Sequence, residues 1–302
     1  MNAETQERRT AVAEILDVDP DRLIHQSFGH GSITFELLDA TQPVIIKTSD
    51  RIGEFHHTEY HLTQLRAKDI PVPEIVEHRH TEELDILILH KLPGRDLLYE
   101  LPSMSNQQLG RLAEQIVEIQ RKVASFPQGN GFGWTPMLVP GRFKTWIELL
   151  ERDIRALSAA PGGSDELGQG AQRAAYRAKL RTAIESQRAY LEAVQPTCFL
   201  DDLTTKNVIM LNGELQGIVD LDSVCYGDFL YWLALTETVI VLDFGGDRLH
   251  YVDCLRKALQ LTPNQSRAAD LYCAIHGTAF LCTFPDVTDE FADWVNRKVS
   301  CL

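Results

Sequence analysis

Between Cys198 and Asp228 the chain reads CFLDDLTTKNVIMLNGELQGIVDLDSVCYGD, and no other stretch limits its possible folds so strongly. Asp202 stands five positions before Asn207. Val208-Ile209-Met210-Leu211 is a short apolar strand, Asn212-Gly213 is a two-residue turn signal, and Leu215 to Val219 returns as a second strand. Such a hairpin is expected to bring together the groups at its two ends, Asn207 and Asp220, with Asp202 just outside. Two side-chain oxygens holding a divalent cation beside a carboxylate that meets a hydroxyl are the polar groups needed for phosphoryl transfer from a nucleoside triphosphate. That chemistry depends mainly on positioning and charge neutralisation. A lone D-x-x-x-x-N arises often by chance, and most carboxylates are solvated surface groups. The hairpin and the second acidic pair, Asp220 and Asp222, make the combination specific.

These residues resemble the aminoglycoside phosphotransferase family, whose members have the protein-kinase-like fold. The family's catalytic loop, H-G-D-x-x-x-x-N, is matched by Leu200-Asp201-Asp202-Leu203-Thr204-Thr205-Lys206-Asn207. Its metal segment is matched by Ile218-Val219-Asp220-Leu221-Asp222, and its following Y-G-D by Tyr226-Gly227-Asp228. The resemblance implies that Asp202 accepts the hydroxyl proton, while Asn207, Asp220 and the less regular Asp222 hold Mg2+. Lys206 either neutralises the transferring phosphoryl or is a surface lysine. Leu200 and Asp201 depart from the usual His-Gly. The histidine braces the loop and does not take the proton, so activity is expected; a catalytically inactive, nucleotide-binding scaffold is the alternative. Gly131-Phe132-Gly133-Trp134 is similar to a G-F-G in the hygromycin-type branch, although glycine-aromatic loops are usually structural.

Upstream, Ser27 to Leu37 reads as strand, glycine turn, strand. Gly29 and Gly31 let backbone approach phosphates, and Ser32 adds a hydroxyl. Val44-Ile45-Ile46-Lys47 is an apolar strand ending in a lysine that resembles the one pairing with the α- and β-phosphates. A helix over His56 to Ala67 places Glu59 where the family keeps its lysine partner, with Glu54 as the competing candidate. Leu84 to Leu89 is a buried strand, and His90-Lys91-Leu92-Pro93-Gly94 resembles the hinge. Backbone groups from Leu89 to Leu92 are expected to meet the adenine edge, with Ile86, Ile88 and Ile218 as walls or simply as core.

The chain has 302 residues, 44% of them hydrophobic, enough for one two-lobed unit. The resemblance divides it into a nucleotide-clamping lobe, 1–90, and a catalytic and acceptor-binding lobe, 91–302. The fold expected is α+β: a β-rich N-terminal lobe with one helix and a larger, mainly helical C-terminal lobe. MNAETQERRT is too polar for a signal peptide, and Leu230 to Phe244 too polar to span a bilayer. Six cysteines without a C-x-x-C or disulfide cadence fit a reduced cytoplasm. A net charge of −14 without a basic stripe argues against nucleic acid. It suits a cationic acceptor, or solubility alone. Ala159 to Gln172 reads as an exposed connection.

In the larger lobe, Leu109, Leu112, Ala113, Ile116, Ile119 and Val123 form a core stripe on a helix over Asn106 to Phe126. Further helices are expected over Trp146–Leu157, Ala174–Val194, Phe229–Val241, Leu249–Leu259 and Gln265–Phe284. By the resemblance, acceptor groups come from the helices after the metal segment: Asp228, Trp232, Glu237, Asp243 and Asp270. Each has a structural alternative, and Asp228 could instead brace the loop. The implied reaction moves the γ-phosphate of ATP, or of GTP, to a hydroxyl of a small molecule. Aminoglycoside-like antibiotics are the favoured acceptors, with choline-, homoserine- or sugar-type metabolites beside them. No protein-kinase D-F-G or A-P-E follows Asp220.

Overall fold

Ile33, Phe35 and Leu37 fall at alternate positions, as do Val44 and Ile46, and Leu84, Ile86 and Ile88. This period places each set on one face of a strand. The computed structural model describes residues 3–26, 32–38, 42–157, 169–284 and 286–302. Within them the chain forms two compact units: Met1–Gly94 with Gln216–Asp222, and Arg95–Leu215 with Ser223–Leu302.

The first unit begins with α1 (Ala3–Leu16), followed by β1 (Leu23–Gln26), β2 (Ile33–Leu37), β3 (Val44–Ser49), α2 (His56–Arg66), β4 (Ile75–His80) and β5 (Asp85–His90). The strands form one antiparallel sheet in the order β1-β2-β3-β5-β4. Val12 and Ala13 of α1 pack on Phe35, Ile46, Ile86 and Ile88, the alternating face just described. Ile86 and Ile88, named as adenine walls or core, thus belong to the core. The helix α1 was not expected, because its charged sequence carries only a few apolar residues on one side.

The second unit contains β6 (Arg95–Asp96), α3 (Leu97–Glu100), α4 (Asn106–Ala124), β7 (Gly133–Thr135), α5 (Trp146–Ala156), α6 (Gln169–Ser186), α7 (Arg188–Glu192), β8 (Thr197–Phe199), β9 (Val208–Leu211), β10 (Glu214–Ile218), β11 (Val224–Gly227), α8 (Leu230–Phe244), α9 (Leu249–Leu259), α10 (Pro263–Thr283) and α11 (Asp289–Ser300). Capping boxes start α4, α5 and α10, with Ser105, Thr145 and Thr262 each paired to the residue three further on. The expected stripe of α4 is buried. The helix expected over Ala174–Val194 is interrupted at Gln187, which separates α6 from α7. The connection read over Ala159–Gln172 lies outside the described residues up to 168; from Gln169 onward it is already helix.

The hairpin forms as read. Asn212 and Gly213 both have positive φ, 53° and 77°, as a two-residue type I′ turn requires. β9 lies between β10 and β6, and β7, β11 and β8 form a second small sheet with β11 central. β10 starts in the second unit and ends in the first. There the Ile218 N–H donates to Pro71 O at 2.9 Å. A Cβ on the adjacent Gly217 would stand 2.7 Å from that same oxygen, so only glycine lets the two backbones approach.

Candidate active site

In the second unit, the loop from Leu200 to Asn207 is tied down residue by residue. Gln120, buried on α4, accepts the Leu200 N–H at 3.1 Å and donates to Leu200 O at 2.7 Å, as a neighbouring strand would. The Trp134 indole N–H donates to Asp201 Oδ2. Asn207 Nδ2 donates to Asp202 O at 2.8 Å, and the buried Trp232 Nε1 donates to Leu203 O at 2.8 Å. Leu98 N–H reaches Thr205 O at 2.9 Å. The Asp202 side chain is exposed above this frame, with one oxygen accepting from Thr204 Oγ1 at 3.0 Å. The result is a solvent-facing carboxylate on immobilised backbone, the arrangement a general base needs.

Gln120, Trp134 and the bracing role of Trp232 were not found from sequence. Gln120 left a trace: it is a polar residue on the apolar stripe of α4, one helical repeat from Ile116. Trp134 follows two glycines whose backbone only glycine adopts readily. Gly131 and Gly133 have φ of 105° and 106°, and a Cβ at Gly131 would meet Gly141 O at 2.6 Å. Gln120→Leu is expected to strand the Leu200 N–H and C=O in the interior. Chemical denaturation should read a loss of about 2 kcal/mol or more, at about 1–3 kcal/mol per buried unpaired group.

Charge around the loop is concentrated. Burial pushes the Asp201 carboxyl up to about 6, and the neighbouring charge of Asp202 adds to the rise. Lys206 is exposed and lies near Asp96 and Asp243. Burial raises both of those carboxyls, and the Lys206 ammonium partly offsets the rise. Asp243 therefore remains a candidate acceptor group, and Asp96 joins it from β6.

In the first unit, Lys47 is held by Asp220 and Asp222. Its Nζ lies 2.7 Å from Asp222 Oδ2, 2.8 Å from Asp222 Oδ1 and 3.5 Å from Asp220 Oδ1. Thr58 on α2 donates to Asp222 Oδ1 at 2.8 Å, and His61 Nδ1 donates to Leu221 O at 2.8 Å. Asp220 has a left-handed backbone, φ 60°, a conformation aspartate tolerates better than most residues. Both carboxylates are half exposed, and one ammonium leaves the pair with surplus negative charge. Hard carboxylate oxygens in that state suit a magnesium ion.

The expected Lys47–Glu59 pair is not made, and this corrects the sequence reading. Glu59 Oε2 instead meets His78 Nδ1 at 2.6 Å, while His78 Nε2 faces Asp85 at 3.0 Å. Burial alone would lower the His78 pKa, but the two carboxylates outweigh it and raise it, so a charged imidazole holds Glu59. Glu54, the competing candidate, is exposed. In the hinge segment, the N–H groups of His90 and Lys91 go to Glu74 O and Pro43 O. Leu89 pairs within the sheet, whereas the Leu92 N–H has no hydrogen bond among the described residues. Gly29 and Gly31 lie outside the described residues. Ser32 is half-buried just before β2.

Four of the five expected acceptor groups have other partners. Asp228 is buried and accepts from Tyr190 Oη at 2.8 Å, Tyr272 Oη at 3.0 Å and the Leu230 N–H at 3.1 Å. Trp232 is enclosed, and its only polar atom serves Leu203. Glu237 lies 2.7 Å from both Arg256 and Lys298, and Asp270 shares those two cations at 3.2 and 3.0 Å. Each was expected from its position after the metal segment. Asp228, Trp232 and Glu237 are buried where they satisfy other polar groups, and the half-exposed Asp270 completes the cluster around Arg256 and Lys298.

An antiparallel sheet carrying a lysine strand and α2, followed by a helical region with a D-x-x-x-x-N loop and a hairpin, defines a protein-kinase-like α+β fold. Solved aminoglycoside phosphotransferases share it across nearly the whole chain. APH(4)-Ia, as a thermostable mutant in a ternary complex with AMP-PNP and hygromycin B, superposes with TM-score 0.64 at 16% identity over 97% of this chain and 96% of that one. ADP-bound APH(2'')-Ib gives 0.61 at 16% identity over 99% and 96%. The streptomycin–ATP complex of APH(2'')-IIa gives 0.58 at 16% identity over 100% and 97%. No curated protein matches the chain in sequence. The chain belongs to the phosphotransferase enzyme family (APH), whose family model matches residues 34–247. Among the described residues no helix is long and apolar enough to cross a membrane.

Proposed function

We propose that this protein is an ATP-dependent O-phosphotransferase acting on a hydroxyl of a small molecule. The observation that carries the proposal is the exposed Asp202 carboxylate on a loop immobilised by Gln120, Asn207 and Trp232. Asp202 orients the acceptor hydroxyl and takes its proton as the oxygen attacks the γ-phosphorus. Lys47 holds the α- and β-phosphates, backbone N–H groups of the Gly29–Ser32 loop cover them, and the Leu92 N–H meets the adenine edge. Lys206 faces the transferred phosphoryl.

Asn207, Asp220 and Asp222 carry oxygen donors of the kind magnesium takes, and when bound the ion would neutralise charge on the triphosphate. Asn207 donates its amide N–H to Asp202 O, so Oδ1 is oriented as the other end of the same amide. Among the described residues no three His, Cys, Asp or Glu side chains form a metal cage. Two carboxylates, an amide oxygen and the phosphates are the usual set for this ion.

The acceptor is a polyhydroxylated, aminoglycoside-like compound. Support comes from the likeness to structures whose bound partners are hygromycin B and streptomycin, and from the half-buried Asp96 and exposed Asp243 near Lys206 of the catalytic loop. The six cysteines are free, which accords with a cytoplasmic location. Mg·ATP offered with aminoglycosides, ketosamines, choline and homoserine, scored by ADP release, tests the reading. Aminoglycosides should be preferred, with kcat/KM on the order of 10⁴ M⁻¹s⁻¹ or above. ATP binding with no release for any acceptor, and no slow hydrolysis, would favour an inactive scaffold. Asp220→Ala should leave nucleotide affinity, measured by calorimetry, independent of added magnesium.

A further inference from the structure

Asp201 stands where the family's loop carries glycine, and the reaction described above leaves it without a role. Left-handed φ among described non-glycine residues occurs at Asp17, Asp69, Leu138, Asn212, Asp220 and Gln260, not at Asp201. This loop therefore has no need of glycine there, and a side chain is accommodated without strain. The carboxylate folds back on its own turn. It accepts the Trp134 indole N–H, and the backbone N–H groups of Asp201 and Asp202 lie near enough to favour its charged form.

Trp134 is itself anchored. The Arg152 guanidinium lies 4.8 Å from the centroid of its ring and 5.4 Å from that of Phe143. Arg152 Nε lies 2.8 Å from Asp153 Oδ1, and Asp153 Oδ2 accepts the buried Tyr231 hydroxyl at 2.5 Å. A continuous path thus joins α8, α5 and β7 to the peptide that carries the catalytic carboxylate.

We propose that Asp201 is a positioning residue, whose carboxylate clamps the backbone of Asp202 to the Trp134–Arg152 wall and holds the base in one orientation. The inference rests on the phosphotransfer reading of Asp202. The clamp does locally what a bracing histidine does elsewhere in the family, with Gln120 holding the preceding residue.

The groups facing Asp201 are Asp202 on the loop, Trp134 on β7 and Cys225 on β11; behind them stand Arg152 against Trp134, Asp153 near Cys225, and Tyr231 bonded to Asp153. With its pKa pushed up to about 6, Asp201 is ionised above that pH, where its hydrogen bonds are charge-assisted. Below it the carboxyl is neutral, its bond to Trp134 is no longer charge-assisted, and the clamp loosens.

The experiment uses the full chain, with Mg·ATP hydrolysis by water as the turnover and the ¹⁵N-labelled Trp134 indole as the direct probe. The indole resonance should titrate near pH 6, and Asp201→Asn should abolish that inflection. Hydrolysis by the wild type should fall through the same pH. Asp201→Asn and Asp201→Gly should lower kcat by about tenfold, with KM for ATP within about twofold and a flat profile between about pH 5 and pH 8. Trp134→Phe keeps the ring that supports Arg152 and should reproduce the loss, with little added in the double variant. Hydrolysis unchanged by Asp201→Asn or Asp201→Gly, or a pH inflection that survives them, overturns the positioning role alone. A titrating indole in a chain that neither hydrolyses ATP nor transfers phosphate overturns the phosphotransfer reading, and the positioning role falls with it.

Discussion

Asp202→Asn is expected to reduce acceptor-dependent turnover by about 10³-fold while leaving Mg·ATP affinity within about twofold. The substitution keeps the shape of the side chain and leaves the loop's bracing intact. Asn207 bonds the backbone oxygen of residue 202, and Gln120, Trp134 and Trp232 act on its neighbours. What is lost is an acceptor for the hydroxyl proton, so the cost falls on kcat. Steady-state kinetics with the best acceptor, set beside nucleotide titration, separates the two. Turnover equal to wild type would remove Asp202 as the base. A parallel collapse of nucleotide binding would show that the variant had disturbed the loop instead.

The largest effect on stability is expected at Glu237. Glu237→Ala leaves Arg256 and Lys298, both largely buried, sharing only the half-exposed Asp270. Removing one partner from a buried ion cluster typically costs about 3–5 kcal/mol, because the remaining charge has lost both water and counter-charge. Urea denaturation measures this directly. A loss under about 1 kcal/mol would mean that the cations relax to solvent. The pH dependence has a definite sign. Burial pushes the Glu237 pKa up, but Lys298 and Arg256 outweigh that and hold it below the usual value. The stabilisation is therefore present above the unfolded pKa of about 4.3 and is lost as pH falls through the lower folded value. Glu237→Ala should flatten that part of the stability profile.

Glu237 also shows where sequence reasoning reached its limit. An acidic residue on an apolar helix after the metal segment looks the same in sequence whether it meets a ligand or a distant arginine. Arg256 and Lys298 lie 19 and 61 positions further along the chain, and only helix packing brings them to it. Lys47 gives a second case. A strand lysine and a helical glutamate were read as partners, yet Asp222 takes the lysine and His78 takes the glutamate. His78 belongs to β4, and no local pattern in that strand advertises its contact with α2.

The elements that could be read correctly share a short range. The β9–β10 hairpin depends on Asn212 and Gly213 alone, since their positive φ values create the turn wherever the strands lie. The stripe of α4 and its Ser105–Gln108 cap are set by neighbours three and four residues apart. The order of motifs identified the fold for the same reason, because each is a local chemical requirement repeated along one chain.

Spacing by itself determined the hairpin, and the order of motifs, through the family resemblance, pointed to the α+β class and to Asp202. Tertiary structure alone decided which side chains brace the catalytic loop, which carboxylate neutralises Lys47, that Asp228, Trp232 and Glu237 are internal supports, and that Asp270 shares the cations of Glu237. Backbone conformation responds to residues within a turn or two. The pairing of buried charges and hydrogen-bonding groups is settled by whichever partners the packed core brings within about 3 Å.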